Sequence, residues 1–261
     1  DLRNLSYLGY DPHFYRVFST LLDPNFTGMV LVLTLISGVF LFNQSKQKLW
    51  ISAGVVVTMA TLLLTYSRSS YLALVGSIMT WVVLQKKAVT GLILVLLFLV
   101  AIVYIPRSGH EALSLDRFDS TVSRFSNWSE SIQRISKKPV LGFGFNILPF
   151  IPEKIARKVS DDDLTLSRSG AGIDNSLLFV GATTGLIGLG AYLWLLAEMM
   201  KMGLSPYHKK YMGIKTMYLV SLGTVLVGSL FINSLFYPWV MVWMWVLSAV
   251  VEREQTRISK P

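Results

Sequence analysis

The sequence predicts an all-α fold, a multi-pass transmembrane helix bundle. Its apolar residues, 52% of 261, come in unbroken blocks and not in periodic stripes. Charged residues, 15% of the chain, collect between the blocks. Each block approaches the roughly 20 residues with which an α-helix crosses hydrocarbon. That medium holds no water for the backbone to bond, so a block crosses as a helix, whose hydrogen bonds are internal.

Seven blocks qualify. The first, near Thr27 to Phe42, follows Asp23 and Pro24, an N-cap with proline at the first helical position. The second, Leu49 to Tyr66, and the third, Tyr71 to Leu84, flank a short polar turn that carries Arg68. The fourth, Val89 to Ile105, is free of charge. A long polar segment separates it from the fifth, Ser176 to Met199, where Gly181, Gly185 and Gly188 offer a side for close helix packing. The sixth runs from Thr216 to Ser234 and the seventh from Trp239 to Val251. The third and seventh are short for a crossing. All belong to a single membrane domain, residues 1–261.

The short loops orient the bundle. Lys46 and Lys48, then Lys86 and Lys87, then Lys201, Lys209, Lys210 and Lys215, then Arg253, Arg257 and Lys260 fall at alternate ends of the spans. Such ends stay in the cytoplasm. The opposite turns carry only Arg68, so residues 106–174 form an extracytoplasmic loop, of a length that translocates regardless of charge. The expected location is the cytoplasmic (inner) membrane. The same topology starts the chain outside, at Asp1, with no signal sequence. This predicts further helices before it and makes the chain the C-terminal part of a longer protein.

Several chemistries are excluded. The formal charge of +9 is split over both faces, and anionic membrane lipids account for the inner share, so no nucleic-acid partner is implied. Cysteine is absent, which removes disulfides and thiol chemistry. No glycine-rich nucleotide loop and no zinc-ligand spacing occurs, so neither cofactor nor metal is expected. Asp161, Asp162 and Asp163 read as a solvated charge run in a lid-like part of the loop, with a divalent cation as the alternative. His13 and His110 are outer histidines with no supporting pattern, and His208 sits among cytoplasmic lysines.

Within the loop, Phe118, Val122, Phe125, Trp128, Ile132 and Ile135 recur at helical spacing and predict an amphipathic helix. It is expected to lie on the outer leaflet or cap the bundle, with Trp128 at the interface and Arg117, Ser120, Arg124, Asn127 and Gln133 off the apolar face. Pro139 ends it, and Gly142 and Gly144 permit a tight turn close to neighbouring backbone. Three outer arginines, Arg16, Arg68 and Arg124, suit a diphosphate, because guanidinium binds phosphate oxygens bidentately and keeps its charge. Taken singly, each also reads as a surface or headgroup arginine. Asp174 and Asn175 stand at the mouth of the fifth span. Asp174 reads as a helix cap, a role Asn175 or Ser176 can share, or as a proton acceptor.

Four patches carry a family likeness. They are RVFSTLLDPNFTG from Arg16, TYSRSSYLAL from Thr65, RFSNWSESIQRISKKPVLGFG from Arg124, and DNSLLFVGATTGLIG from Asp174. In this order, with a large loop between the last two, the chain resembles the O-antigen ligase and O-antigen polymerase family of bacterial membrane glycosyltransferases. The resemblance implies a GT-C-like, all-helical bundle and a polyprenyl-diphosphate-linked glycan donor, used without nucleotide sugar or metal. It implies transfer to a lipid A core, another glycan or a protein, with outer arginines on the diphosphate. In ligases a histidine just before the Asn of the fourth patch is the proposed base. Here that position is Asp174, which favours a polymerase.

The expected activity is glycan transfer or polymerisation at the outer face of the membrane. Asp174 accepts the proton of the attacking hydroxyl, Asn175 orients it, and Arg68 and Arg124 with Arg16 neutralise the diphosphate. The helix around Trp128 guides the lipid chain. Protein O-glycosylation is an alternative acceptor choice. A glycan or lipid transporter that makes no bond is the alternative from another class, and it predicts internal repeats with matched broken helices.

Overall fold

The computed structural model of the chain describes residues 16–105, 118–145, 147–148, 172–205 and 212–259. Among these are eight α-helices and no strand: α1 (Pro24–Gln44), α2 (Lys48–Leu64), α3 (Arg68–Gln85), α4 (Ala88–Tyr104), α5 (Phe118–Lys137), α6 (Ser176–Leu204), α7 (Met212–Ser229) and α8 (Pro238–Ser259). Each of the seven apolar blocks is a helix, and α5 is the helix expected within the loop.

By length and apolarity, α1, α6 and α7 can cross a membrane. Helices α2 and α4 are apolar but shorter, at 17 residues each. Helix α3 opens on Arg68, Ser69 and Ser70, and α8 ends in a charged stretch that includes Glu252, Arg253 and Glu254. Three helices, not seven, therefore meet the requirement.

Helix α7 forms the centre. Tyr218, Leu222 and Val225 are buried there against Met29 and Leu33 of α1, Ala73 of α3 and Val240 and Met244 of α8. Small residues bring the axes close. Gly76 of α3 lies under Val227, and Gly223 of α7 under Thr80. By contrast α4 leaves Leu92, Leu96, Leu97 and Val103 exposed, a surface suited to lipid.

The up-and-down order gathers the termini into two ends. At one, Gln85 Nε2 donates to Thr216 Oγ1 at 3.4 Å, and Lys215 Nζ donates to the Ser205 carbonyl at 2.6 Å. Those bonds join the far ends of α3, α6 and α7. Lys46, Lys48, Lys86, Lys87 and Lys201 belong to the turns and helix ends on that side. The opposite end holds the start of α1, the α2–α3 turn, the start of α6 and the α7–α8 turn.

Helix α5 packs beside α6. Asn127 bonds Asp174, Ile135 lies over Gly181, and the residues after α5 meet Thr183 to Leu186. So α5 runs alongside the first half of α6, in the same direction. The side it turns inward carries Ile135 and Trp128 of the apolar face together with part of the polar one. Ser131 and Arg134 are buried, while Phe125 and Ile132 are 63% and 54% exposed. Trp128 is half-buried, its ring 6.4 Å from that of Phe231.

The glycines of α6 also differ from expectation. Gly181 does serve packing, against Ile135. Gly188 meets only Thr184 of its own helix among its nearest neighbours. Gly185 instead breaks α6, with φ 68° and ψ −169°. The segment Pro139 to Gly144 fills the break. Phe143 N–H donates to the Ala182 carbonyl at 2.9 Å and Gly144 N–H to the Thr183 carbonyl at 2.8 Å. Leu186 N–H donates to the Pro139 carbonyl at 2.7 Å. Gly142, at φ 66°, has no room for a side chain against Thr183 and Gly185, as the tight turn predicted.

Gly185→Ala forces a Cβ into the Val140 carbonyl at a left-handed φ, and strain of this type costs roughly 1–3 kcal/mol. The melting temperature in detergent micelles is expected to fall. Gly190→Ala, in open space on the same helix, is the control and leaves it unchanged or higher.

Candidate active site

The α7–α8 turn ties the four sequence patches together. On one side Phe26, two residues past the Pro24 that opens α1, stacks on Tyr237 with ring centroids 4.1 Å apart. Burial, and then the nearby Asp23 carboxylate, push the Tyr237 phenol above its ordinary range. Asp23 itself caps α1, accepting from Asn25 N–H at 2.6 Å and Phe26 N–H at 3.1 Å. On the other side, Asn175 Nδ2 donates to the Leu230 carbonyl at 3.3 Å, and Leu235 N–H donates to Ser176 Oγ at 3.3 Å.

The first two patches are bonded directly. Asn25 Oδ1 accepts from Ser67 Oγ at 2.8 Å and Ser69 Oγ at 3.2 Å, and its carbonyl accepts from Ser70 Oγ at 3.1 Å. Ser67 also caps α3 by accepting from Ser70 N–H. This buried hydroxyl cluster fixes the direction in which α3 leaves its first residue, the half-buried Arg68.

Arg16 is buried. Its Nε donates to the Thr65 carbonyl at 2.9 Å and a terminal nitrogen to the Tyr66 carbonyl at 3.4 Å. Helix C-termini leave carbonyls without intrahelical partners, and a guanidinium matches both their geometry and the dipole. Arg16 thus closes α2 and holds the left-handed Tyr66, φ 49°, that starts the turn to α3.

The last two patches meet through Asn127. Its Nδ2 donates to the Gly172 carbonyl at 2.8 Å, and its Oδ1 accepts from Asp174 N–H at 3.3 Å. Arg124, half-buried, stands one helical turn before Asn127 on the same inward stripe. Asn175 is buried and is the N-cap of α6, accepting from Leu177 N–H at 2.9 Å and Leu178 N–H at 3.1 Å. So the capping role belongs to Asn175, whose amide is also engaged with Leu230. Asp174 lies one residue outside the cap, half-buried.

Arg16, Arg68, Arg124, Asp174 and Asn175 therefore all stand at the end of the bundle opposite the lysine-bearing turns. His13, His110, Asp161, Asp162 and Asp163 lie outside the described residues. Asn25, Asn127, Ser131 and Arg134, and the α7–α8 turn with the buried, unpartnered Oδ1 of Asn233, were not expected in this role. One signal was present for part of this set. Arg124, Asn127, Ser131 and Arg134 recur at spacings of three and four, a second stripe beside the apolar one. Among the described residues no three His, Cys, Asp or Glu side chains gather where a metal would bind.

A search of curated proteins finds no match. The family model described as O-antigen ligase matches residues 53–193, just over half of the 261-residue chain. That segment runs from α2 into α6 and holds the second, third and fourth patches, with Arg68, Arg124, Asp174 and Asn175. The Arg16 patch precedes it. By that match the chain belongs to the O-antigen ligase family, whose work is the ligation or polymerisation of surface polysaccharide.

Proposed function

We propose that the chain is a glycosyltransferase that uses a polyprenyl-diphosphate-linked glycan at the outer face of the cytoplasmic membrane. Seven spans, the site-bearing end outward and the lysine-rich end in the cytoplasm, follow from the positive-inside rule. The observation that supports the chemistry best is the division of labour at α6. Asn175 caps the helix, which leaves Asp174 without that duty at the same mouth.

In this mechanism an acceptor sugar hydroxyl attacks the anomeric carbon from the face opposite the diphosphate. The new C–O bond forms as the bond to the diphosphate oxygen breaks, with inversion. The electron pair leaves on the diphosphate, where Arg68 and Arg124 take up its charge. Such preorganised stabilisation is worth roughly 3 kcal/mol per donor. The hydroxyl proton passes to Asp174. As the attacking oxygen becomes positive its acidity rises, so an ordinary carboxylate suffices. Asn127 is a positioning residue that holds Asp174 by its backbone N–H, and Asn175 fixes the helix start beside it. Arg16 acts on the α2–α3 turn and so on Arg68. With a carboxylate at Asp174, polymerisation is preferred to ligation onto a lipid A core. Protein is the other acceptor class.

The break in α6 is the one observation that favours a transporter, since discontinuous helices line transport sites. In transporters the freed helix ends face the substrate. Here Phe143, Gly144 and Pro139 occupy them, which supports the enzyme.

Two measurements test this reading. Purified protein supplied with polyprenyl-diphosphate glycan is expected to release lipid diphosphate. Asp174→Asn should lower kcat by a factor of ~100 or more, the low end for loss of a general base, and Arg68→Ala by a similar factor. Full turnover by Asp174→Asn would remove the carboxylate from the mechanism. Glycan movement across vesicles with no bond made would favour transport. Separately, Asn175→Ala should cost ~1 kcal/mol or more of stability through the lost cap. An unchanged thermal melt for Asn175→Ala would contradict its capping role.

A further inference from the structure

Resting on that reading, we infer that Arg134, assisted by the indole N–H of Trp128, is a further ligand for the diphosphate of the donor. Arg134 is only 5% exposed and lies on the inward stripe of α5, two turns past Asn127. Among the described residues no carboxylate, carbonyl or hydroxyl accepts from its guanidinium. A cation so little exposed favours an anion beside it, because the water it has lost is best replaced by close pairing. The helix C-terminus does not serve. The last carbonyls of α5 take backbone donors, Lys138 N–H on the Arg134 carbonyl at 3.3 Å and Gly142 N–H on the Lys138 carbonyl at 3.1 Å.

A second donor, on the neighbouring face of α5, is unmatched. Trp128 Nε1 is buried without a hydrogen-bond partner. Between them Ser131 is buried, with its hydroxyl turned back to the Asn127 carbonyl at 2.6 Å. This side of α5 thus presents a buried indole N–H and a 5%-exposed guanidinium that no acceptor among the described residues meets, a few turns from Asp174 and beside the first half of α6. A doubly charged diphosphate supplies acceptors in the number and geometry that a planar guanidinium takes up. Arg124 heads the same stripe, so the diphosphate would lie along α5, its lipid directed toward the exposed Phe125 and Ile132 side and its sugar toward Asp174.

The test uses the full chain in phosphatidylcholine nanodiscs, with farnesyl diphosphate as the probe and phosphatidylglycerol as the competing phosphate source. Arg134→Gln is expected to weaken farnesyl diphosphate binding about tenfold or more. Trp128→Phe, which keeps the ring, should weaken it a few-fold, and Arg134→Lys should fall between wild type and Arg134→Gln. Melting temperatures of the ligand-free variants should hold or rise, since an unmatched buried charge is removed. Unchanged binding by Arg134→Gln overturns the assignment, as does phosphatidylglycerol competing at equal concentration, which would make a headgroup the ligand. A melting temperature that falls for Arg134→Gln with binding intact assigns it to structure and also overturns it. Glycan transfer on the same samples separates the two readings. Wild-type protein that binds but never transfers sinks the glycosyltransferase reading and leaves Arg134 in place. An Arg134→Gln variant that binds and transfers like wild type does the reverse.

Discussion

A helix that breaks inside a membrane must find new partners for the backbone groups it frees, because hydrocarbon offers none. The break at Gly185 is satisfied by one neighbouring segment of the same chain. Two N–H groups of Phe143 and Gly144 and one carbonyl of Pro139 replace the lost bonds. Much else follows from that exchange. It fixes the end of α5 against α6, so the register between the two helices is set. Register in turn delivers Asn127 to Gly172 and Asp174, and Ile135 to Gly181.

The same logic of satisfied backbone runs through the rest of the site end. Asp23, Ser67 and Asn175 each cap a helix start, and Arg16 closes a helix finish. These polar groups do structural work first, and in doing it they gather. The α7–α8 turn then receives both halves, through Phe26 and Tyr237 on one side and Asn175 and Ser176 on the other. Asp174, Arg68 and Arg124 stand among these groups, at the end of the bundle where the proposed transfer calls for a proton acceptor and cationic donors.

The α5 helix shows how solvent decides which face is inside. In water its apolar stripe would be buried. Beside membrane-length helices the division falls elsewhere: Ser131 and Arg134 are buried with Ile135 and Trp128 against protein, while Phe125 and Ile132 are exposed. Hydrophobic burial cannot drive packing against lipid, so hydrogen bonds and close contacts select the interface.

The helical class, the position of every long helix, the amphipathic character of α5, the Asp23 cap and the tight turn at Gly142 were legible in the sequence. Each depends on periodicity or on residues a few positions apart. Four patches and their order were legible too, and they carried the family. The sequence did not decide which of two adjacent residues caps α6, that Arg16 serves the end of α2, that Gly185 breaks a helix, or which stripe of α5 faces protein. Those outcomes rest on partners far away along the chain, such as Leu230 for Asn175 and Pro139 for Leu186. Only the packed tertiary structure brings such groups within bonding distance, and there the unmet backbone and charge of each segment choose among the local alternatives.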